Sequence, residues 1–170
     1  MMIDRREWPD AGFPGIAVDP DTLNAVVVDE ERCEAALEES GSLEDRAVVE
    51  LARGHVSKAA ELIVEARYHD PESFQLKVLE LDVLRLGNRN DRALERARQI
   101  LTEVKGTPRE ATVQQYLGKI QFTRGQYASA EDAFAKALEL RVAAAADASL
   151  IYTSTVALGR AREERFGSTA

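Results

Sequence analysis

The fold turns on residues 115–140: Gln115-Tyr-Leu-Gly-Lys-Ile-Gln-Phe-Thr-Arg124-Gly-Gln-Tyr-Ala-Ser-Ala130-Glu-Asp-Ala-Phe-Ala-Lys-Ala-Leu-Glu-Leu140. The stretch divides into two amphipathic helices about a turn at Arg124-Gly125-Gln126. Leu117, Gly118 and Phe122 supply the packing face of the first helix, and Ala130, Ala133, Phe134 and Ala137 form one stripe on the second. Small residues where two helices cross allow the backbones to approach closely. Gly118, Ala130 and Ala137 are expected to serve that purpose.

Outward from this stretch the same alternation of helix and turn runs through most of the sequence. Acidic residues suited to a helix start open a helix over 29–39, which stops at Gly41. Ser42-Leu-Glu-Asp45 reads as a capping box opening the next, with Leu43, Ala47 and Leu51 spaced by four and Gly54 at its end. A third helix is predicted over 57–68, with Ala59, Leu62, Ile63 and Ala66 on one face. Asp70-Pro71 reads as the N-cap and first helical position of a fourth, ending at Gly87-Asn88. A fifth spans 91–104. Thr107-Pro108-Arg109-Glu110 opens the helix that contains Gln115. A further first helix is expected over 144–158, followed only by a short segment from Arg160 to Phe166.

Gly54, Gly87, Gly125 and Gly159 are each read as ending a helix, at separations of 33, 38 and 34 residues (87 − 54, 125 − 87, 159 − 125). With this period, Leu117-Gly118, Ala130-x3-Phe134 and Ala137, the protein resembles a tetratricopeptide repeat protein. Ala59 and Ala66 match Ala130 and Ala137, Pro71 stands at the closing proline, and Ala93 matches the small residue while Ile100 replaces the second alanine. Gln114, Gln121 and Val142 stand where the family often has Trp, Tyr and Pro. The resemblance implies an all-α fold, a right-handed α-solenoid of helix-turn-helix repeats. About 3.5 units are expected, at 42–71, 72–106 and 109–142 plus the partial one. The expected organisation is a non-helical, extended N-terminal arm over 1–28, a repeat domain over 29–166 and a disordered tail over 167–170. The arm holds three of the five prolines, with turn signals at Pro-Asp-Ala-Gly and Asp-Pro-Asp. Trp8, Phe13, Ile16, Val18 and Leu23 make it apolar enough to pack on the helical body.

Little of the sequence speaks for chemistry. A net charge of −8 argues against binding nucleic acid by phosphate neutralisation. No apolar run is long enough to span a bilayer, and the charged N-terminus shows no signal peptide. Cys33 is the single cysteine, so no internal disulfide forms and a reducing cytoplasm is expected. His55 and His69 lack catalytic or metal-binding partners at a recognisable spacing. No phosphate loop, dinucleotide motif or nucleophile elbow occurs. The expectation is a non-enzymatic protein without cofactor or metal.

In the family the first helix of each unit lines a concave groove that commonly holds an extended peptide. Along 72–86, Leu76, Leu79, Val83 and Leu86 form one stripe, and Phe74, Val78 and Leu81 a second on roughly the opposite side. Alignment with the family then assigns Phe74, Lys77, Val78, Leu81 and Arg85 to the groove, followed by Gln115, Tyr116, Lys119, Phe122 and Thr123. Leu150, Thr153 and Val156 follow from the last helix. The carboxylate clamp of the chaperone-binding relatives is not reproduced, since Val78 and Tyr116 stand where its asparagines would be. The expected partner is an apolar segment carrying some negative charge, with the protein's own arm as one candidate. The apolar segment Ala143–Leu158 predicts either self-association as a homodimer through the C-terminal repeat, attachment to a partner, or closure by Phe166. The implied role is an adaptor, co-chaperone or secretion-type chaperone, bacterial in style. The alternative is a regulatory or oligomerisation domain of a transcriptional or signalling complex.

Overall fold

In a computed structural model, which describes residues 3–167, every long apolar period becomes a helix. The first 28 residues form a short 3₁₀ turn at Arg5–Glu7 and two strands, β1 (Ile16–Val18) and β2 (Ala25–Val27). These pair antiparallel with Ile16 opposite Val27 and Val18 opposite Ala25. Eight helices follow among the described residues: α1 (Glu30–Ser40), α2 (Leu43–Ala52), α3 (Val56–His69), α4 (Phe74–Leu86), α5 (Asn90–Val104), α6 (Glu110–Thr123), α7 (Tyr127–Ala143) and α8 (Ala148–Gly167). They fall into two compact units, Met1–Gly87 and Asn88–Ala170.

In the first unit α2 is packed on two sides. Ala47 and Leu51 join Ala59, Ile63 and Ala66 of α3 and Leu76 and Leu79 of α4 in one buried cluster. Val49 and Ala52 join Cys33 of α1 and Ile16 of the hairpin in another, with Phe13, Ala25 and Val27 against it. The non-helical arm is therefore a hairpin of two short extended strands seated on α1 and α2. Gly15 allows this seating: its φ is +80°, and a Cβ there would lie 2.3 Å from the Asp29 carbonyl oxygen and 3.1 Å from the Cys33 Cβ. Its own carbonyl accepts the amides of Val28 and Asp29.

The second unit is built on the α6–α7 pair. A Cβ on Gly118 would lie 2.4 and 2.5 Å from Cε1 and Cδ1 of Phe134, so the glycine is what admits the ring. Phe134, Ala130 and Ala137 are fully buried. The last helix, α8, packs through Ser154, Ala157, Leu158 and Ala161. Arg162 and Arg165 both bridge to Glu131 on α7, at 3.1 and 2.8 Å, and hold that carboxyl below the usual range.

Local chemistry explains the agreements and the corrections. Asp29 caps α1 through Arg32 N, and Gly41 closes it in the left-handed region. Ser42 caps α2 through Asp45 N at 3.3 Å, but the Asp45 carboxylate accepts from the Ser40 hydroxyl, so the capping box is only half made. Asp70 does not cap α4. Its amide closes α3 on the Ala66 carbonyl, Pro71 lies in the turn, and Ser73 is the N-cap. Ser73 wins because its hydroxyl serves two partners, accepting from Leu76 N at 3.3 Å and donating to Glu44 of α2 at 2.8 Å.

Gly159 does not end a helix but lies inside the 20-residue α8, with no separate segment after it. Glycine costs a helix only about 1 kcal/mol, and the buried face from Ser154 to Ala161 outweighs that. The disordered tail expected over 167–170 lies, apart from Gly167 at the end of α8, outside the described residues.

The register of the helix pairs is also sharpened. Gly54 and Gly125 have positive φ, at +81° and +74°, whereas after α4 it is Asn88, at +60°, and not Gly87. Measured from these residues, the buried positions fall at the same offsets: five residues on are Ala59, Ala93 and Ala130, and twelve on are Ala66, Ile100 and Ala137. After each of these three residues the next helix starts two residues on. After Gly54 and Gly125 the following amide reaches back five residues, His55 N to Glu50 O and Gln126 N to Gln121 O, which is the Schellman closure.

Candidate functional site

Within the first unit, α4 buries the centre of both of its apolar stripes. Leu76 and Leu79 enter the cluster shared with α2 and α3. Val78 and Leu81 are 1% and 0% exposed, so they support the surface and do not form it. Arg85 is also buried, with Nε and Nη2 both on Asp82 Oδ1 at 3.2 and 3.0 Å. Its Nη1 donates to Asn24 Oδ1 at 2.7 Å, which ties the hairpin's loop to a residue the sequence assigns to the groove. Phe74 and Lys77 are half-buried and carry what surface α4 keeps on this side.

In the second unit Tyr116, Lys119 and Phe122 recur every three residues along α6, each half-buried. The Lys119 ammonium lies 5.1 Å from the Tyr116 ring centroid. Phe122 meets Tyr127 edge to face at 5.3 Å, and the Arg160 guanidinium stands 5.9 Å from its centroid. Gln115 is buried and accepts from Ser154 at 2.8 Å. That hydroxyl in turn accepts from Arg141 Nη1, at 2.8 Å. Sequence reading did not single out Arg141. The signal was present, because Arg141 continues the stripe Ala130, Phe134, Ala137 by four residues and so falls on the buried face of α7.

The densest charge cluster surrounds Arg53 in the first unit. Its guanidinium bridges Glu30 and Glu34 of α1 and Glu50 of α2. Its hydrogen bonds to Glu34 and Glu30 raise its pKa above the ordinary value. Glu50 is buried, which alone would raise its carboxyl, but His55 at 2.6 Å, Lys58 and Arg53 outweigh burial and hold it below the usual range. Both oxygens of Glu50 are engaged, so the cluster ties α1, α2 and α3 together. Cys33 is fully buried, and burial pushes its thiol pKa up, which disfavours the thiolate. No group of His, Cys, Asp and Glu among the described residues could hold a metal ion, and no helix among them is long and apolar enough to cross a membrane. No family model matches the sequence, and no curated protein or solved structure matches it either.

Proposed function

We propose that this is a tetratricopeptide-type repeat protein that binds a protein or peptide partner without catalysis, as a cytoplasmic adaptor or co-chaperone. The observation that supports this reading is the α6 stripe of Tyr116, Lys119 and Phe122. It joins two aromatic rings and a cation, each half-buried, along one helix, with Phe122 packed against Tyr127 of α7. Aromatic side chains on a rigid helix supply contact area at low entropic cost. The common offsets of the buried residues after Gly54, Asn88 and Gly125 support the repeat assignment. Capture from a lysate of the native host, with wild type against a Tyr116→Ala/Lys119→Ala variant, tests it. A specific partner retained by the wild type and lost by a folded variant is the expected result. A partner retained by both removes α6 from the site.

Self-association through α8 is the second reading, supported by Leu150 and Phe166, which are 43% and 63% exposed. A concentration-independent monomer by light scattering removes it.

A further inference from the structure

Arg141 is 6% exposed, in the last turn of α7, and only one of its guanidinium nitrogens is used by the protein. Nη1 donates to the Leu150 carbonyl at 3.0 Å and to Ser154 Oγ at 2.8 Å. Ser154 has no accessible surface and donates to Gln115 on α6, so the group is fixed from α6 and α8 together. Nε and Nη2 donate to no protein atom among the described residues, yet neither is sealed from solvent. Among the described residues no carboxylate is bonded to the group. Burial pushes its pKa down, and only the Tyr116 phenol opposes the shift. The other strongly held arginines differ, since Arg85 has Asp82 and Arg53 has three glutamates.

A cation taken out of water without a counter-charge is costly to fold around, and such groups concentrate at functional sites. The Nε–Nη2 edge is the one whose two parallel donors match the two oxygens of a carboxylate. Lys119, 5.1 Å from the Tyr116 ring, brings a second positive charge to the same stretch of α6. In a protein of net charge −8, Arg141 and Lys119 bring positive charge to this surface. We propose that Arg141 is an anion subsite of the α6 surface: its Nε–Nη2 edge receives the side-chain carboxylate of an acidic residue of the protein partner, beside Tyr116 and Lys119. This rests on the reading of α6 as a binding surface and names the chemistry it recognises.

The test uses the full-length protein labelled with ¹⁵N-arginine. The Nε–Hε resonances are followed while sodium acetate replaces sodium chloride at constant ionic strength. The Arg141 resonance, identified by its loss in Arg141→Lys, is expected to shift and saturate while the other arginine resonances stay put. If Arg141→Lys does not fold, Ser154→Ala serves, since loosening Nη1 should shift that resonance in the free protein and abolish its saturable response. No saturable shift with acetate, or the same shift with chloride, overturns the subsite.

Peptides selected on the wild type from a displayed random library separate the two readings. Peptides that bind equally well after their carboxylates are amidated overturn the subsite and leave the α6 surface standing. A saturable acetate response with no peptide captured supports the subsite and counts against the peptide-binding reading.

Discussion

Gly118→Ala is the substitution that tests the second unit most directly. The new Cβ would sit 2.4 and 2.5 Å from Cε1 and Cδ1 of Phe134 and 2.9 Å from its Cζ. Carbon atoms in favourable contact lie about 3.5–4.0 Å apart, so α6 and the ring must separate by roughly 1 Å. Phe134 has no accessible surface, and a ring enclosed on all sides cannot swing clear as an exposed one could. Overpacking of this kind costs about 1–3 kcal/mol, and a direct clash with a fixed ring belongs at the upper end. Alanine's better helix propensity returns about 1 kcal/mol. The net expectation is a loss of ~2 kcal/mol, or about 4–8 °C in Tm for a protein of this size.

Gly159→Ala is the internal control. It lies inside α8 with nothing within 4 Å of a Cβ, so only the propensity gain remains and stability should rise by about 1 kcal/mol. Urea unfolding followed by circular dichroism at the helix band measures both. Phe134→Leu in the Gly118→Ala background should recover part of the loss, because a smaller side chain vacates the disputed space. A Gly118→Ala protein as stable as wild type would refute the α6–α7 packing described above. So would a loss of the same size in Gly159→Ala.

Two further outcomes follow from local geometry. Ala145 has φ +50°, a region that costs an alanine about 1–2 kcal/mol. Ala145→Gly should therefore stabilise the protein by ~0.5–1 kcal/mol after glycine's greater unfolded-state entropy is counted, and a loss in the same urea titration would contradict that backbone assignment. Glu50 is held below its unfolded pKa by His55, Lys58 and Arg53, so its contribution is fully present above about pH 4.3 and disappears as the pH falls through the lower folded value. In melts taken from pH 7 to pH 3, Glu50→Gln should start less stable and converge on the wild type in acid. Parallel curves would show that the cluster carries no such linkage.

Most helices were legible because their signals are local and repeated. The stripe of Ala130, Ala133, Phe134 and Ala137, the Asp29 and Ser42 caps and the stops at Gly41, Gly54 and Gly125 each depend on neighbours within one or two turns. The errors arose where tertiary partners decided. Ser73 displaced Asp70 as a cap because Glu44 of α2 accepts its proton. Asn88 took the positive φ that a reading by glycines alone gave to Gly87. Gly159 stayed helical because the buried face on either side of it is continuous. The extended propensity at Asn24–Val28 was visible, but its pairing with Ile16–Val18 is a contact between separate segments that no period announces. Arg141 is divided between the two: its place on the buried stripe of α7 is legible, and its partners Leu150 and Ser154 are met only on folding.

The uniform spacing after Gly54, Asn88 and Gly125 determines where the polypeptide tolerates a change of length. Each of these turns has only three residues between one helix and the next: 53–55, 87–89 and 124–126. One residue inserted there would rotate every following side chain by about 100° and turn Ala59, Ala93 or Ala130 away from its buried site. Residues 105–109, between α5 and α6, are exposed throughout and carry no buried side chain whose phase must be kept. An insertion there meets mainly loop-closure entropy, roughly 0.6 kcal/mol for each doubling of the loop. Differences in length among related sequences, and any affinity tag or reporter placed internally, belong at Gly106.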